Sequence, residues 1–288
     1  MGAAQESGRL GWLVASTIVT AAVQRAVGSD GQALFLLTGG TLLQHRLGTA
    51  ARATRDVGGL VRGDIEVFLA RLDQVLKVLW GPLTLRRGDI EVINTPAKTV
   101  KPRRFSVTLS LRGAVWRKVQ VESSPDEGDA GAAQDQVDAP PLAALGLPDA
   151  ERLAGLKDRY QIAQKVHAAT DPHEPPAQIN DRARDVVDLC LLGDLAQRSG
   201  RPTNAEIAAA ICDIFSFRAR EAEALGRSAR RWPAQLIPYP HWADDYAAGA
   251  ASARLCLALH EAVAEVNRWL DEIDAVRAGS AAPGAGAQ

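Results

Sequence analysis

The sequence predicts an α+β fold, with a first half that mixes helices and strands and a second half that is helical. Apolar and polar residues alternate over residues 105–111, which is the pattern of a half-buried strand. From about residue 148 onward, apolar residues recur at helical spacing instead. At 288 residues the chain also has about the length of two ordinary domains, and the polar segment 123–147 lies between the two patterns.

The composition is that of a globular chain that folds in water. Hydrophobic residues make up 47% and charged residues 23%, which excludes a disordered, a collagen-like or a polytopic membrane protein. The formal net charge of −1 gives no overall attraction to nucleic acid or anionic lipid. Any polyanion site must therefore be a local cluster.

The cysteines and the N-terminal apolar stretch indicate a cytoplasmic protein. Cys190, Cys212 and Cys256 each lie in an apolar helical pattern, which is typical of buried thiols in a reducing compartment. Residues 10–23 are too few to span a bilayer, which needs about 20 apolar residues. A signal peptide is the alternative, and Glu6 weakens it. We expect a cytoplasmic location and no membrane partner.

A predicted strand leads directly into a glycine turn and a helix. The apolar run 33–37 predicts a buried strand, and Thr38-Gly39-Gly40-Thr41 follows it at the start of a helix. Backbone N–H groups at a helix start attract anions such as phosphate. Gly39, Gly40 and Thr41 are therefore candidate nucleotide-binding residues, although a Gly-Gly pair before a helix is also common without a ligand.

The other elements follow from periodicity. Residues 10–27 and 64–79 have helical spacing, and residues 105–111 and 115–122 form strands joined by a hairpin turn at Arg112-Gly113. The second half predicts helices over residues 152–170, 182–198, 204–218, 219–230 and 244–276, the last broken near Gly249. The predicted organisation is a domain over residues 1–122, a flexible acidic linker over 123–147, a helical domain over 148–278 and a mobile tail over 279–288.

Two acidic residues of the first half are candidate metal ligands. Thr54 and Asp56 follow the glycine turn, and a carboxylate there can hold a metal that bridges a phosphate. The alternative for Asp56 is a helix cap or a surface charge. Glu122 ends the second hairpin strand, with Val119 and Val121 on the opposite face. The alternative for Glu122 is a solvated strand residue.

The second half carries a lysine and two aspartates on predicted helices. Lys165 lies beside a buried stripe, where it is either a snorkelling stem or a point charge for a triphosphate. Asp185 and Asp188 are three residues apart and so share a helix face, where like charges repel unless a cation lies between them. Arg182 or Arg184 could supply that cation from the same helix.

Taken in order, these segments resemble the AbiEii family of nucleotidyltransferase-like toxins, and particularly its MenT branch. The order is the glycine turn, Thr54-Arg55-Asp56, Glu122, residues 162–168 (IAQKVHA) and residues 182–189 (RARDVVDL). Further similarity lies in residues 100–105, 180–182 and 240–242. The resemblance covers about residues 33–275.

The resemblance implies a polymerase-β-like nucleotidyltransferase domain joined to a helical domain, with the active site in the cleft between them. It implies a toxin that transfers nucleotides, often pyrimidines from CTP or UTP, to the 3′ acceptor end of tRNA and so blocks aminoacylation and translation. The implied cofactor is Mg²⁺, and the implied partners are the tRNA acceptor stem and a separately encoded antitoxin.

Carried over by position, the resemblance assigns catalytic residues. Thr54 and Asp56 match the family's Ser/Thr-x-Asp motif, Lys165 matches its helical lysine, and Asp188 matches its later catalytic aspartate. The glycine turn matches its counterpart in the family.

The implied chemistry is in-line attack of a 3′-hydroxyl on the α-phosphate, with pyrophosphate leaving and metal ions held by carboxylates. Asp56 is then a metal ligand, with Glu122 as a second carboxylate and Asp185 as an additional candidate. Lys165 neutralises the triphosphate, and Asp188 orients the lysine or the substrate.

The sequence departs from the family at two positions. Members commonly carry Asp-x-Asp, but here Gly58 stands at the second position and offers no side chain to a metal. Thr38 stands where the family often has Lys. Two alternatives stay open: a non-catalytic nucleotide- or RNA-binding relative, and a small-molecule nucleotidyltransferase resembling aminoglycoside-modifying enzymes.

Two clusters of basic residues are candidate RNA contacts, although most charge runs are solvated surfaces. The first lies on or beside the sheet, and its candidate RNA-binding residues are Lys101, Arg103, Arg104 and Arg112. The second lies in the helical domain next to Trp232 and consists of Arg218, Arg220, Arg227, Arg230 and Arg231.

Overall fold

The computed structural model of the protein describes residues 3–150 and 152–281. The chain divides into two compact units. The N-terminal unit consists of Met1–Thr49 and Ala53–Lys157, and the C-terminal unit consists of Ala50–Arg52 and Asp158–Gln288. Within the described residues the first unit holds a mixed sheet with helices and the second is helical, which confirms the predicted α+β fold class.

The described part of the N-terminal unit forms one mixed sheet of eight strands. Its elements in chain order are α1 (Ala3–Gln24), β1 (Phe35–Thr38), α2 (Gly39–Leu47), β2 (Asp56–Val61), α3 (Ile65–Val75), β3 (Leu83–Arg87), β4 (Glu91–Val92), β5 (Arg103–Leu111), β6 (Ala114–Pro125), β7 (Gln134–Asp138) and β8 (Arg152–Leu156). The strands lie in the order β3-β5-β6-β2-β1-β8-β7, and β4 pairs with β5. The β2–β6 and β1–β8 pairs are parallel, whereas β1–β2 and β5–β6 are antiparallel.

The core of the N-terminal unit lies between the sheet and the helices α1 and α3. The ring of Phe35 in β1 stacks on Phe68 of α3 with 5.8 Å between centroids, and both rings are fully buried. The side chain of Gln24 in α1 donates to the backbone oxygens of Phe35 and Ala154, in β1 and β8. Because side chains alternate along a strand, Thr38 lies on the face opposite to Phe35.

Residues 123–147 do not form a flexible linker. β6 extends into this segment, and β7 pairs with β8 at the edge of the sheet. Val137 and Leu142 are buried, and Glu127 forms an ion pair with Lys98. The segment is polar in sequence because an edge strand needs few apolar residues to bury its inner face. The first domain therefore extends past its predicted end at residue 122.

The boundary between the units lies between Lys157 and Asp158. Residues 152–156 form strand β8, where the sequence predicts the start of a helix, and the helix begins only at Asp158. The β8 residues from Leu153 onward are all buried. A short, continuously apolar run does not distinguish a buried strand from a helix, which is why the prediction is wrong here.

The described part of the C-terminal unit is built from helices. They are α4 (Asp158–Ala169), α5 (Ala183–Ser199), α6 (Asn204–Ala224), α7 (Ala243–Ala253) and α8 (Leu259–Ala281). Thr203 and Glu206 begin α6 with a capping box. α6 is one helix where the sequence predicts two, and the later break separates α7 from α8, whereas Gly249 lies inside α7. α8 includes residues 279–281 of the predicted tail, and residues 282–288 lie outside the described residues.

Two further sequence expectations concern membranes and thiols. Among the residues that the structure describes, no helix has both the length and the apolarity needed to cross a bilayer. Cys190, Cys212 and Cys256 are free thiols. Cys190 is buried as predicted, and burial raises the pKa of its thiol to about 12. Cys256 is exposed, contrary to the prediction, because it lies in the break between α7 and α8.

We expect Gly59→Ala to lower the free energy of unfolding by about 2–3 kcal/mol. A Cβ atom at Gly59 would lie 2.0 Å from Cζ of Phe35. That ring is fully buried against Phe68 and cannot move aside. Urea unfolding followed by far-UV circular dichroism measures the loss.

Gly58→Ala is the matched control, because it adds the same methyl group to the same strand. Its Cβ would meet nothing nearer than Thr38 Oγ1 at 3.5 Å. We expect it to change the free energy of unfolding by less than about 0.5 kcal/mol. Equal losses from the two substitutions would contradict the packing argument.

Candidate functional site

The glycine turn joins β1 to α2 in the N-terminal unit, as predicted. Thr38 is the N-cap of α2, and its side chain makes no capping hydrogen bond to the helix. Gly39 has a φ of +66°, a conformation that favours glycine. Thr41 donates a hydrogen bond from Oγ1 to the backbone oxygen of Asp56 at 2.6 Å, which fixes the helix start beside β2. The first turn of α2 holds no acidic residue, so the turn suits a phosphate.

Four residues of the N-terminal unit share one face of the sheet, which we call the site face: Thr38, Asp56, Gly58 and Glu122. Gly58 is the register partner of Thr38 in β1 and of Glu122 in β6. Asp56 lies two residues before Gly58 in β2 and therefore lies on the same face. Val121 is fully buried on the opposite face, as predicted. The sheet thus brings the two carboxylates together with the start of the glycine turn.

The Thr-x-Asp motif is a locally hydrogen-bonded pair. Thr54 Oγ1 donates to Asp56 Oδ1 at 3.0 Å. Both residues are half-buried; Asp56 begins β2, and Thr54 lies two residues before it. The bond fixes one oxygen of the carboxylate and leaves Oδ2 to accept from, or coordinate, another group.

Glu122 is paired with an arginine on the neighbouring strand. Arg104 is its register partner in β5, and the guanidinium donates from Nε and Nη2 to the same oxygen, Oε1, at 2.9 and 2.7 Å. The hydrogen bond to Glu122 raises the pKa of Arg104. Any metal or hydroxyl bound by Glu122 must therefore compete with Arg104 or use Oε2.

The donor set of the site face fits a Mg²⁺ ion that arrives with a nucleotide. Within residues 3–150 and 152–281, no three His, Cys, Asp or Glu side chains lie close enough to hold a metal by themselves. Mg²⁺ is ordinarily held by one or two carboxylates together with waters and substrate phosphates. Asp56 and Glu122 can supply such carboxylates. Gly58 supplies none, although a side chain there would have room.

The four residues predicted to bind RNA are engaged to different degrees. Lys101 Nζ donates to the backbone oxygens of Thr95 and Lys98, Arg103 pairs with Glu66, and Arg104 pairs with Glu122. Arg112 lies in the predicted hairpin turn between β5 and β6, is exposed, and has a φ of +51°. The structure therefore leaves Arg112 most accessible to a polyanion, and the other three would have to exchange partners.

The C-terminal unit brings Lys165, Asp185 and Asp188 together in its interior. Lys165 Nζ, on α4, donates to Asp185 Oδ1 at 2.7 Å and to Asp188 Oδ2 at 2.6 Å, both on α5. All three side chains are buried, and Asp188 is fully so. The lysine from α4 is thus the cation between the two aspartates. Arg182 is 4.0 Å from Asp185, and Arg184 pairs with Asp245 instead.

Arg52 is a site residue that the sequence reasoning missed. Its Nε and Nη2 donate to Asp188 Oδ1 and Oδ2 at 2.8 and 2.9 Å, a bidentate pair. The sequence offers an indirect signal for a residue such as Arg52, because Asp185 and Asp188, if both are buried, need a second cation besides Lys165 for neutrality. Helical spacing favours a cation on the same helix, whereas Arg52 comes from the short segment Ala50–Arg52 that belongs to this unit.

The ion pairs keep Lys165 and Asp185 in their charged forms. Burial by itself would lower the pKa of Lys165, but Asp185 and Asp188 outweigh it and the pKa is raised. Burial by itself would raise the pKa of Asp185, but Lys165 and Arg182 outweigh it and the pKa is lowered. Lys165 and Asp185 are therefore both ionised at neutral pH. We call Arg52, Lys165, Asp185 and Asp188 the buried charge network.

Comparison with known proteins identifies relatives of this chain. The family model described as "Nucleotidyl transferase AbiEii toxin, Type IV TA system" matches residues 22–266. No curated protein matches the chain in sequence. MenT4, a nucleotidyltransferase toxin from Mycobacterium tuberculosis H37Rv, is 13% identical and superposes with a TM-score of 0.50 over 93% of this chain and 92% of that chain. An antigenic nucleotidyltransferase-like protein from Paracoccidioides brasiliensis is 12% identical, with a TM-score of 0.38 over 75% of this chain and 94% of that chain.

We expect Arg52→Gln to lower the free energy of unfolding by about 3 kcal/mol, because it leaves a fully buried carboxylate with one cation fewer. Adding Asp188→Asn should restore part of that loss. A double-mutant cycle by urea unfolding measures the coupling between the two residues, which we expect to exceed about 1 kcal/mol.

Arg55→Gln is the matched control for Arg52. Arg55 lies three residues after Arg52 and is exposed, and its side chain makes no hydrogen bond or ion pair with any described residue. We expect a change of less than about 0.5 kcal/mol. If Arg52→Gln were as mild as this control, the buried charge network would not be a structural constraint.

Proposed function

Because this chain belongs to the AbiEii family of nucleotidyl transferase toxins, we propose that it transfers a nucleotide from an NTP to the 3′ acceptor end of a tRNA and so blocks translation. CTP or UTP is the proposed donor. This specificity, the tRNA acceptor and a cognate antitoxin are carried over from the motifs that resemble the MenT branch. The cytoplasm is the proposed location.

The observation that carries the proposal is the composition of the site face. A helix start suited to phosphate, the Asp56 carboxylate and the Glu122 carboxylate lie on one side of three adjacent strands. Nucleotidyl transfer needs a phosphate cradle next to carboxylates that act on the attacking hydroxyl and on the metal. The backbone N–H groups of Gly40 and Thr41 would cradle the phosphates, and Asp56 would hold the metal. Bound Mg²⁺ would stabilise the charge that develops on the phosphate oxygens.

Glu122 and Arg104 have linked roles in this proposal. The 3′-hydroxyl must lose its proton as it attacks the α-phosphate, and Glu122 is the carboxylate proposed to accept that proton or to coordinate the metal. Phosphate is a bidentate partner for arginine, as carboxylate is. An incoming phosphate can therefore take Arg104 from Glu122 and release the carboxylate for its role.

In the C-terminal unit, Lys165 is the proposed point charge for the triphosphate. An ammonium group has three N–H donors, and Asp185 and Asp188 accept two of them. The third donor is the proposed contact to a phosphate oxygen. Asp188 orients the lysine, and Arg52 in turn holds Asp188 with two hydrogen bonds. Arg52 is therefore a positioning residue in the proposal.

The second candidate function is nucleotide or RNA binding without turnover. Gly58 favours it, because this position lies between Thr38 and Glu122 on the site face and supplies no carboxylate. In this case the site face would bind NTP through the glycine turn, while the reaction would lack a metal ligand that it requires.

We expect purified protein to label total tRNA at its 3′ end when it is incubated with labelled CTP or UTP and Mg²⁺. Asp56→Asn and Lys165→Met should each reduce the rate about 10²-fold or more, because each removes a charge that stabilises the transition state. Asp138→Asn and Lys157→Met are the matched controls, since both residues are exposed. Thermal unfolding of each variant separates lost activity from lost folding.

The acceptor decides between the proposed reactions. Parallel incubations with aminoglycosides test the small-molecule alternative, and label on that acceptor alone would contradict the tRNA proposal. Label on neither acceptor with any NTP would remove the transferase proposal.

We expect Gly58→Asp to raise the transfer rate about 10-fold or more, because it adds a carboxylate beside Asp56 for a second metal ion. The Cβ has room, with Thr38 Oγ1 nearest at 3.5 Å. Gly58→Asn is the control for size without charge. If only Gly58→Asp transfers nucleotides, the natural chain is better described as a binding protein without turnover. If Gly58→Asp and Gly58→Asn have equal transfer rates, the added carboxylate does not act by binding a second metal ion.

A further inference from the structure

One end of the C-terminal unit holds a group of charged and polar residues that the proposed reaction does not use. It forms where the end of α4, the start of α5, α6 and the segment after α6 meet. We call Arg182, Arg218, Arg227 and Arg230 the arginine cluster. The other members of this group are His167, Thr170, Asp171 and Glu221.

Two arginines share the imidazole of His167. Arg218 Nη1 lies 2.9 Å from its Nδ1, and Arg230 Nη2 lies 2.5 Å from the same nitrogen and 3.0 Å from Nε2. Arg230 also donates to the backbone oxygen of His167 at 2.7 Å and to Thr170 Oγ1 at 3.1 Å, and it forms an ion pair with Asp171. An imidazole carries no negative charge, so His167 offsets neither arginine.

The arginine cluster contributes four positive charges, and the two carboxylates in the group, Asp171 and Glu221, cannot neutralise all of them. Burial lowers the pKa of Arg218 to about 10, although Asp171 and Glu221 oppose that shift. Burial also lowers the pKa of Arg230, against the attraction of Asp171. In both cases removal from water outweighs attraction by the neighbouring acids. With four arginines and two carboxylates in the group, an anion that binds here would meet a net positive charge.

Two more arginines and a helix start add to the positive potential. Arg182 and Arg227 lie close enough to Asp171 to oppose the rise in its pKa that burial causes. Arg182 is also the N-cap of α5, a 17-residue helix, and its side chain makes no capping hydrogen bond. Arg227 is exposed, and its side chain has no hydrogen bond or ion pair within the described part of the chain.

We propose that the arginine cluster binds a phosphate group of the substrate. The planar guanidinium fork suits phosphate oxygens, and Arg218 and Arg230 are already held in place by His167 and Thr170. Arg218 also interacts electrostatically with Asp185, so the cluster adjoins the buried charge network within this unit. The inference rests on the proposed function for the source of that phosphate, which is the NTP or the RNA.

Calorimetric titration of the intact protein with inorganic pyrophosphate tests the nucleotide source. Arg227→Gln and Arg218→Lys should each weaken binding about 5- to 10-fold, since each disturbs a charge-assisted contact. Arg268→Gln, which changes an exposed arginine on α8, is the matched control and should leave the affinity unchanged. Arg227 is exposed and unbonded, so its loss should not impair folding, which thermal unfolding checks.

Fluorescence anisotropy with a labelled RNA hairpin that has a single-stranded 3′ end tests the RNA source. Each lost phosphate contact should weaken binding and reduce the slope of log K against log salt by about 0.7. A residue with only a structural role would not change that slope in a folded variant. Weaker binding of either probe in Arg227→Gln and Arg218→Lys, with binding to Arg268→Gln unchanged, supports the inference and identifies the source.

Binding that is unaffected in both variants, or absent in the natural chain with both probes, overturns the inference. The labelling reaction with tRNA distinguishes this failure from failure of the proposed function. If the protein labels tRNA but the arginine variants have no effect, the proposed phosphate site is wrong and the proposed reaction is retained. If probe binding depends on the arginine cluster but no label is transferred to tRNA, the proposed reaction is wrong and the phosphate site is retained.

Discussion

The buried charge network is the constraint on which the C-terminal unit depends. Lys165 and Arg52 supply two positive charges, and Asp185 and Asp188 supply two negative ones, so the network is neutral as a whole. Its members come from α4, α5 and the segment Ala50–Arg52. Removing any one charge would leave another buried without compensation. The network therefore fixes these three segments together, and it explains why so short a segment belongs with the helices.

Stability alone is a poor reason for such a network. Well-packed apolar residues of similar volume are often as stabilising as a buried ion pair, or more so, because ions lose their hydration on burial. The adjoining rows of α4 and α5 are already apolar, with Ile162, Val166, Val186 and Leu189 fully buried. The presence of a lysine between two aspartates in these surroundings supports the catalytic role that we propose for Lys165.

Local patterns in the sequence predict most of the helices and strands. The features that the sequence does not predict depend mainly on contacts between residues that are distant in the chain. The alternation over β5 and the Gly-Gly turn before α2 are visible within about ten residues, and both were confirmed. β7 and β8 were missed because an acidic edge strand resembles a loop and a short buried strand resembles a helix. Arg52 was missed because its partner lies more than a hundred residues away. The sequence predicts an RNA contact for Arg104, because its partner Glu122 becomes a neighbour only when β5 pairs with β6.

The departure at Gly58 and the pairing of Glu122 are two aspects of one charge balance on the site face. With a second aspartate at position 58, three carboxylates would lie near one arginine. With glycine there, Asp56 and Glu122 carry two negative charges and Arg104 one positive charge. The site face is then only weakly negative before any ligand binds, which reduces its attraction for a free metal ion. A metal ion that is already bound to the triphosphate is less affected, because the phosphates supply most of its ligands. The site face is accordingly suited to take the metal and the nucleotide together.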